Sequence, residues 1–183
     1  SQGRTKPLGT ADAVFQALEQ FPVLQKNRFS VCNSDNLYSV NAFRRLRSIE
    51  QGSGLIAYDL KSLNFTKEKI AGFALLVFDS DFCLQNIIEK PAAADLNKVI
   101  VEHGSVYISM NAFTFDGNIL YSFLSDCPIH LDRDEKELPT AILNMIQVHP
   151  TSVKGISMQE HVPDLTTKKD LLLLEDYLST QKR

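Results

Sequence analysis

Cysteine is scarce in this chain, and the spacings by which metals and disulfides use it are missing. Cys32, Cys83 and Cys127 make an odd number with no Cys-x-x-Cys pair, and each lies in or beside an apolar run. That context predicts buried free thiols rather than a disulfide framework or a metal knot. Long hydrophobic runs are missing as well. No stretch reaches the roughly 20 consecutive apolar residues of a membrane span, and Ser1-Gln2-Gly3-Arg4 lacks the apolar core of a signal peptide. A soluble, cytoplasmic chain with no membrane partner is expected. Charge of one sign is in small excess, 19 Lys and Arg against 22 Asp and Glu, which argues against nucleic acid as the main partner. His103, His130, His149 and His161 show no His-x-x-x-His spacing and no cysteine neighbours suited to zinc. There is no Gly-x-Ser-x-Gly elbow, no Walker loop and no Gly-x-Gly-x-x-Gly turn. Internal repeats and low-complexity linkers are also absent.

With 44% apolar and 22% charged residues over 183 positions, the chain can bury one sizeable core, which excludes a collagenous or disordered protein. Periodicity alternates between helix and strand. Thr10 is placed to cap a helix over 11–19 with Ala11, Val14, Phe15 and Leu18 on one face, and Phe21-Pro22 ends it. A short buried-type strand over 29–32 stops at Asn33-Ser34-Asp35-Asn36, putting Asp35 at a strand's carboxyl end. A second helix over 39–50 turns Val40, Phe43, Leu46 and Ile49 inward and Arg44, Arg45 and Arg47 outward, closed by Gly52 and Gly54. After a strand over 55–60, segments 73–78 and 82–89 read as an antiparallel hairpin ending at Lys90-Pro91. A polar, small-residue connection between Pro91 and Gly104 leads to a strand over 105–115 and a short helix over 118–125. The charged run 132–137 reads as a solvated loop before a helix with Pro139 in its first turn and Ile142, Leu143 and Ile146 buried. A strand over 153–160 follows. Thr167 and Asp170 then form a capping box for a final helix carrying Leu171, Leu172, Leu173, Leu174, Tyr177 and Leu178. This order predicts a single α/β domain over 1–183. It is expected to be a Rossmann-like three-layer sandwich whose mainly parallel sheet carries an inserted antiparallel hairpin, with ligands bound at strand carboxyl ends.

Four segments are distinctive in their order. Leu8-Gly9-Thr10-Ala11-Asp12-Ala13-Val14, Asn33-Ser34-Asp35-Asn36, Ile87-Ile88-Glu89-Lys90-Pro91 and Pro163-Asp164-Leu165-Thr166-Thr167 together resemble the motif series of the sugar-phosphate nucleotidyltransferases. This family includes the glucose-1-phosphate and mannose-1-phosphate nucleotidylyltransferases. The resemblance implies transfer of a nucleotidyl group from a nucleoside triphosphate to a sugar 1-phosphate, giving a nucleotide sugar and pyrophosphate. It implies Mg²⁺ held by Asp35 and Asp164, which suits hard carboxylate oxygens. By the same matching, Lys90 neutralises the sugar phosphate, Glu89 accepts hydrogen bonds from sugar hydroxyls and Asn111 contacts the sugar. Leu8, Gly9, Thr10 and Ala11 match the segment on the nucleotide base. Pro91 is expected to hold Lys90 extended, aiming its ammonium into the cleft. An oligomer is allowed and not specified.

Departures accompany the match. Ser34, Ala74 and Thr166 stand where the family has glycine, each adding a side chain to a crowded cleft. The family's opening strand and glycine-rich phosphate loop have no counterpart before Gly9. The expectation is therefore an N-terminally incomplete catalytic domain, inactive by itself. The alternative is a catalytically silent homologue that binds nucleotide sugar or sugar phosphate as a regulatory subunit.

Overall fold

The computed structural model describes residues 6–92, 94–96, 99, 104–168 and 170–181. His103 and much of the connection expected between Pro91 and Gly104 lie outside them. The principal elements among the described residues are, in order, α1 (Thr10–Gln20), β1 (Arg28–Cys32), α2 (Val40–Arg47), β2 (Ser53–Asp59), α3 (Lys67–Ile70), β3 (Ala74–Phe78), β4 (Leu84–Ile88), β5 (Tyr107–Asp116), α4 (Gly117–Ser125), α5 (Leu138–Val148), β6 (Val153–Met158) and α6 (Asp170–Gln181). No described helix is long and apolar enough to cross a membrane.

All six strands join one sheet, ordered β4-β3-β5-β2-β6, with β1 added to β5. Four strands, β1, β2, β3 and β6, run in one direction and β4 and β5 run against them. The expected mainly parallel sheet with a hairpin thus holds for strand direction. The hydrogen bonding differs, because β5 sits centrally and pairs antiparallel with β1, β2 and β3, leaving β2 with β6 as the parallel pair. Period-two alternation sends Leu55, Ala57, Phe113 and Phe115 to one face, under α1, α4 and α5. Ile56, Tyr58, Ile108, Met110 and Ala112 go to the other, under Ala42 and Leu46 of α2. Two cores on opposite faces make the three-layer sandwich.

The hairpin does more than extend the sheet. Its tip reaches back to β6, where Cys83 bridges Lys154 and the Gly155 N–H donates to the Phe82 carbonyl at 2.8 Å. Phe78 and Phe82 stack with centroids 4.2 Å apart over Gly155, where a Cβ would lie 2.6 Å from either ring. The tip covers backbone that an edge strand would otherwise present to solvent.

Several local expectations are corrected. Thr10 does not cap α1, since Gly9 holds that position without a side-chain bond. The Thr10 hydroxyl instead accepts the Leu138 N–H at 2.9 Å, at the start of α5, where Glu137 makes no side-chain cap. In α2, Ala42 and Leu46 are buried while Val40 is 66% and Phe43 37% exposed. This eight-residue helix rests on an i, i+4 pair, leaving Val40 on the first turn's outer side and Phe43 edge-on to Tyr38. Cys83 and Cys127 are buried free thiols, but Cys32 is exposed, being the last residue of a strand paired with β5 alone among the described residues. Thr167 and Asp170 do form the expected box: the Thr167 N–H and hydroxyl both donate to the Asp170 carboxylate.

Candidate functional site

The site begins with a defect in the central strand. Between Leu55 and Ala57 the register of β2 against β5 slips, because Leu55 faces Phe113 whereas Ala57 faces Ser109. The surplus of β5 bulges around Asn111, which takes a left-handed φ of 55°. On the far edge of β5, β3 pairs up to Ser109 and β1 begins at Ala112. The carboxyl end of β1 and the amino end of β3 therefore part at the bulge, opening a crevice of the kind in which α/β sheets bind ligands.

Two cavities occupy this crevice. One, of about 240 Å³, is lined by Thr10, Cys32, Asn33, Glu89 and Asn111 among others; the second, of about 140 Å³, by Phe73, Glu89, Lys90, Asn111 and Arg133. Thr10, the adjacent Glu89 and Lys90, and Asn111, far apart in sequence, thus border one crevice. Leu8, Gly9 and Ala11 serve differently. The Leu8 carbonyl accepts the Lys136 N–H, the Ala11 N–H donates to the Lys136 carbonyl, and the Ala11 side chain is in the core. A Cβ on Gly9 would meet the Lys136 carbonyl oxygen at 2.3 Å. The smallness of this segment is accounted for by residue 136 before any ligand arrives.

Lys90 is not extended before Pro91, contrary to expectation: its φ is 48°, and the chain turns there to bury Pro91. The ammonium is exposed, with no partner among the described residues. Glu89 Oε2 takes Arg133 at 2.8 Å, and the same guanidinium is paired with Glu137, which is 7% exposed. Arg133 belongs to the charged run expected to be a solvated loop. It is instead a wall of the cleft, and its acidic neighbours in sequence masked it.

The segments of Asp35 and Asp164 are zipped together. The Leu165 N–H donates to the Asp35 carbonyl at 2.8 Å, the Leu37 N–H to the Pro163 carbonyl at 2.9 Å, and Asn36 bridges Asp164. Tyr38 ties this seam to the bulge. Its hydroxyl accepts the Asn33 N–H and shares its one proton between Asn36 Oδ1 and the Met110 carbonyl. Burial pushes that phenol upward from its ordinary pKa.

The two carboxylates fare differently. That of Asp35 is exposed and has no side-chain partner among the described residues. Asp164 Oδ1 accepts from Asn36 Nδ2 at 3.0 Å; Oδ2 accepts from Thr166 at 2.6 Å and pairs with Lys69 at 2.9 Å. Among the described residues no three His, Cys, Asp or Glu side chains gather as a metal site. With both oxygens engaged and an ammonium on one, Asp164 does not fit the Mg²⁺ ligand that the resemblance implies. Lys69 also borders a cavity of about 460 Å³ between α3 and α6, together with Phe65, His161, Asp170 and Tyr177. Burial, then the Lys69 charge, lowers the His161 pKa, and its Nδ1 accepts the Asn64 N–H.

Fold and crevice define a Rossmann-like α/β protein with a cleft at its β-strand ends. The chain belongs to the nucleotidyl transferase family, whose model matches residues 2–167. Its fold is shared with a protein assigned as a glucose-1-phosphate thymidylyltransferase from Bacillus anthracis, solved in complex with a sucrose (17% identity, TM-score 0.64, covering 95% of this chain and 62% of that one). It is shared also with HddC from Yersinia pseudotuberculosis, solved with GMP-PN (16% identity, TM-score 0.59, covering 95% and 64%). This chain therefore spans less than two thirds of either structure's length. A search of curated proteins returned no match.

Proposed function

We propose that this chain supplies the greater part of a catalytic domain that transfers a nucleotidyl group from a nucleoside triphosphate to a sugar 1-phosphate. The observation that carries this reading is the convergence of Thr10, Glu89, Lys90 and Asn111 on one crevice, with Arg133 beside them. In the reaction an oxygen of the sugar phosphate attacks the α-phosphorus and pyrophosphate leaves, so the site must hold a dense negative charge in line. Lys90 offers the phosphate an exposed ammonium that has no partner among the described residues. Arg133 holds the Glu89 carboxylate in place, with an oxygen left to accept hydrogen bonds from sugar hydroxyls. Thr10 marks the wall where the nucleoside would lie, near the positive end of α1. Asp35 remains in the proposal as the exposed carboxylate at the end of β1, and Asp164 as the residue that fastens 163–165 to it. Mg²⁺ at Asp164 forms no part of the proposal.

Binding tests the reading. A nucleotide sugar should raise the melting temperature of the chain, and Lys90→Met should weaken sugar 1-phosphate binding by about 1.5–3 kcal/mol, tenfold to hundredfold. No response to any nucleotide sugar or sugar phosphate would overturn it. The Lys69 ammonium on Asp164 favours a second reading, a silent subunit that binds nucleotide sugar without turnover. Pyrophosphate release from nucleoside triphosphate and sugar 1-phosphate decides for the enzyme; saturable binding without release decides for the subunit.

A further inference from the structure

Three oxygens converge on the Lys69 ammonium: Asp164 Oδ2 at 2.9 Å, Asp170 Oδ1 at 3.2 Å and the Asp164 carbonyl at 3.3 Å. The Phe65 ring closes a further side, its centroid 5.1 Å from Nζ. Both carboxylates are largely shielded, with side chains 8% and 13% exposed, so the pair needs a cation between them. The separations are those of ammonium hydrogen bonds, well beyond the 2.0–2.1 Å or so of Mg²⁺ coordination. A divalent ion on Asp164 Oδ2 would stand against the ammonium as a like charge. Thr166 and Asn36 occupy the remaining approaches to this carboxylate.

We propose that Lys69 is the resident cation of this cage, a tethered replacement for a divalent ion at Asp164, and that it fastens the start of α6 to the seam behind the cleft. Its reach is traceable bond by bond. Asp170 at the head of α6 meets Lys69, Lys69 meets Asp164, Asp164 meets Asn36, and Tyr38 joins Asn36 to Met110 in the bulge that presents Asn111. Lys69 is thus a positioning residue whose charge holds the carboxyl end of the domain against the site.

Mn²⁺, whose paramagnetism reports binding through water-proton relaxation, is the probe for the wild-type chain and for Asp164→Asn. The expected result is that no saturable Mn²⁺ site depends on Asp164. A saturable site in the wild type that Asp164→Asn abolishes would overturn the proposal. If Asp164→Asn does not fold, a second measurement decides on the wild type alone. The ¹⁵N signal of the Lys69 ammonium should keep its position in excess Mg²⁺, and its displacement would overturn the proposal. Neither readout involves turnover or nucleotide binding, so failure here leaves the proposed reaction standing.

Discussion

Lys90 and Asn111 both hold left-handed backbone, and both line one small cavity. For a side chain with a Cβ this conformation costs about 1–2 kcal/mol, least for asparagine. Such strain persists where the surroundings over-determine it, here at the β5 bulge and the turn into buried Pro91. The motif containing Glu89 and Lys90 was legible in the sequence because it is contiguous, and Asn111 through its place on the expected strand. Arg133 and Lys69 were not, since Glu89 and Asp164, which tie them to the site, lie 44 and 95 residues away and their neighbours in sequence read as a solvated face. His161 yields a prediction at this scale. Its folded pKa lies below the ordinary 6.5, so below that pH the unfolded chain takes up a proton that the folded chain resists. Stability should be flat above about pH 6.5 and fall as pH drops below it. Urea midpoints from pH 5 to 8 check this, and His161→Gln should lose that part of the pH dependence.

Between elements, one hydroxyl ties together parts of the chain 128 residues apart, since Thr10 on α1 caps α5. Thr10→Val should cost about 1 kcal/mol, lowering Tm by roughly 2–4 °C, while Thr10→Ser keeps the wild-type value in a thermal melt. Sequence pattern placed Thr10 one residue too early, as the cap of the apolar helix that it in fact begins. It could not show which helix the side chain serves, because a cap to another element leaves no local periodicity. Gly155 raises the same difficulty: a lone glycine in a strand says that something comes close, and the stacked Phe78 and Phe82 are what comes. Gly155→Val should destabilise by about 1–3 kcal/mol through overpacking, measured as a drop in urea midpoint. It should also free the hairpin tip, seen as faster exchange of the backbone amide at position 155.

At the scale of the molecule, the alternation of helices and strands, the hairpin and the two-sided core were readable from apolar spacing, because burial on a face imposes a period. Strand pairing within the sheet was less so. Nothing in residues 105–115 distinguishes a strand that runs with its neighbours from one that runs against them, and the pairing of β5 is decided by connections elsewhere. That pairing also orders events during synthesis. β1 pairs, Arg28 to Asp116, with a strand that leaves the ribosome many seconds later at about 5–20 residues per second. β2 and β3 wait for the same strand. β4 gives β3 an early mate, but the edges of β1, β2 and β3 that meet β5 stay open until residue 116 emerges, so the centre of the sheet closes late. In a cell, a translational pause before β5 would expose it to aggregation more than a pause anywhere after it.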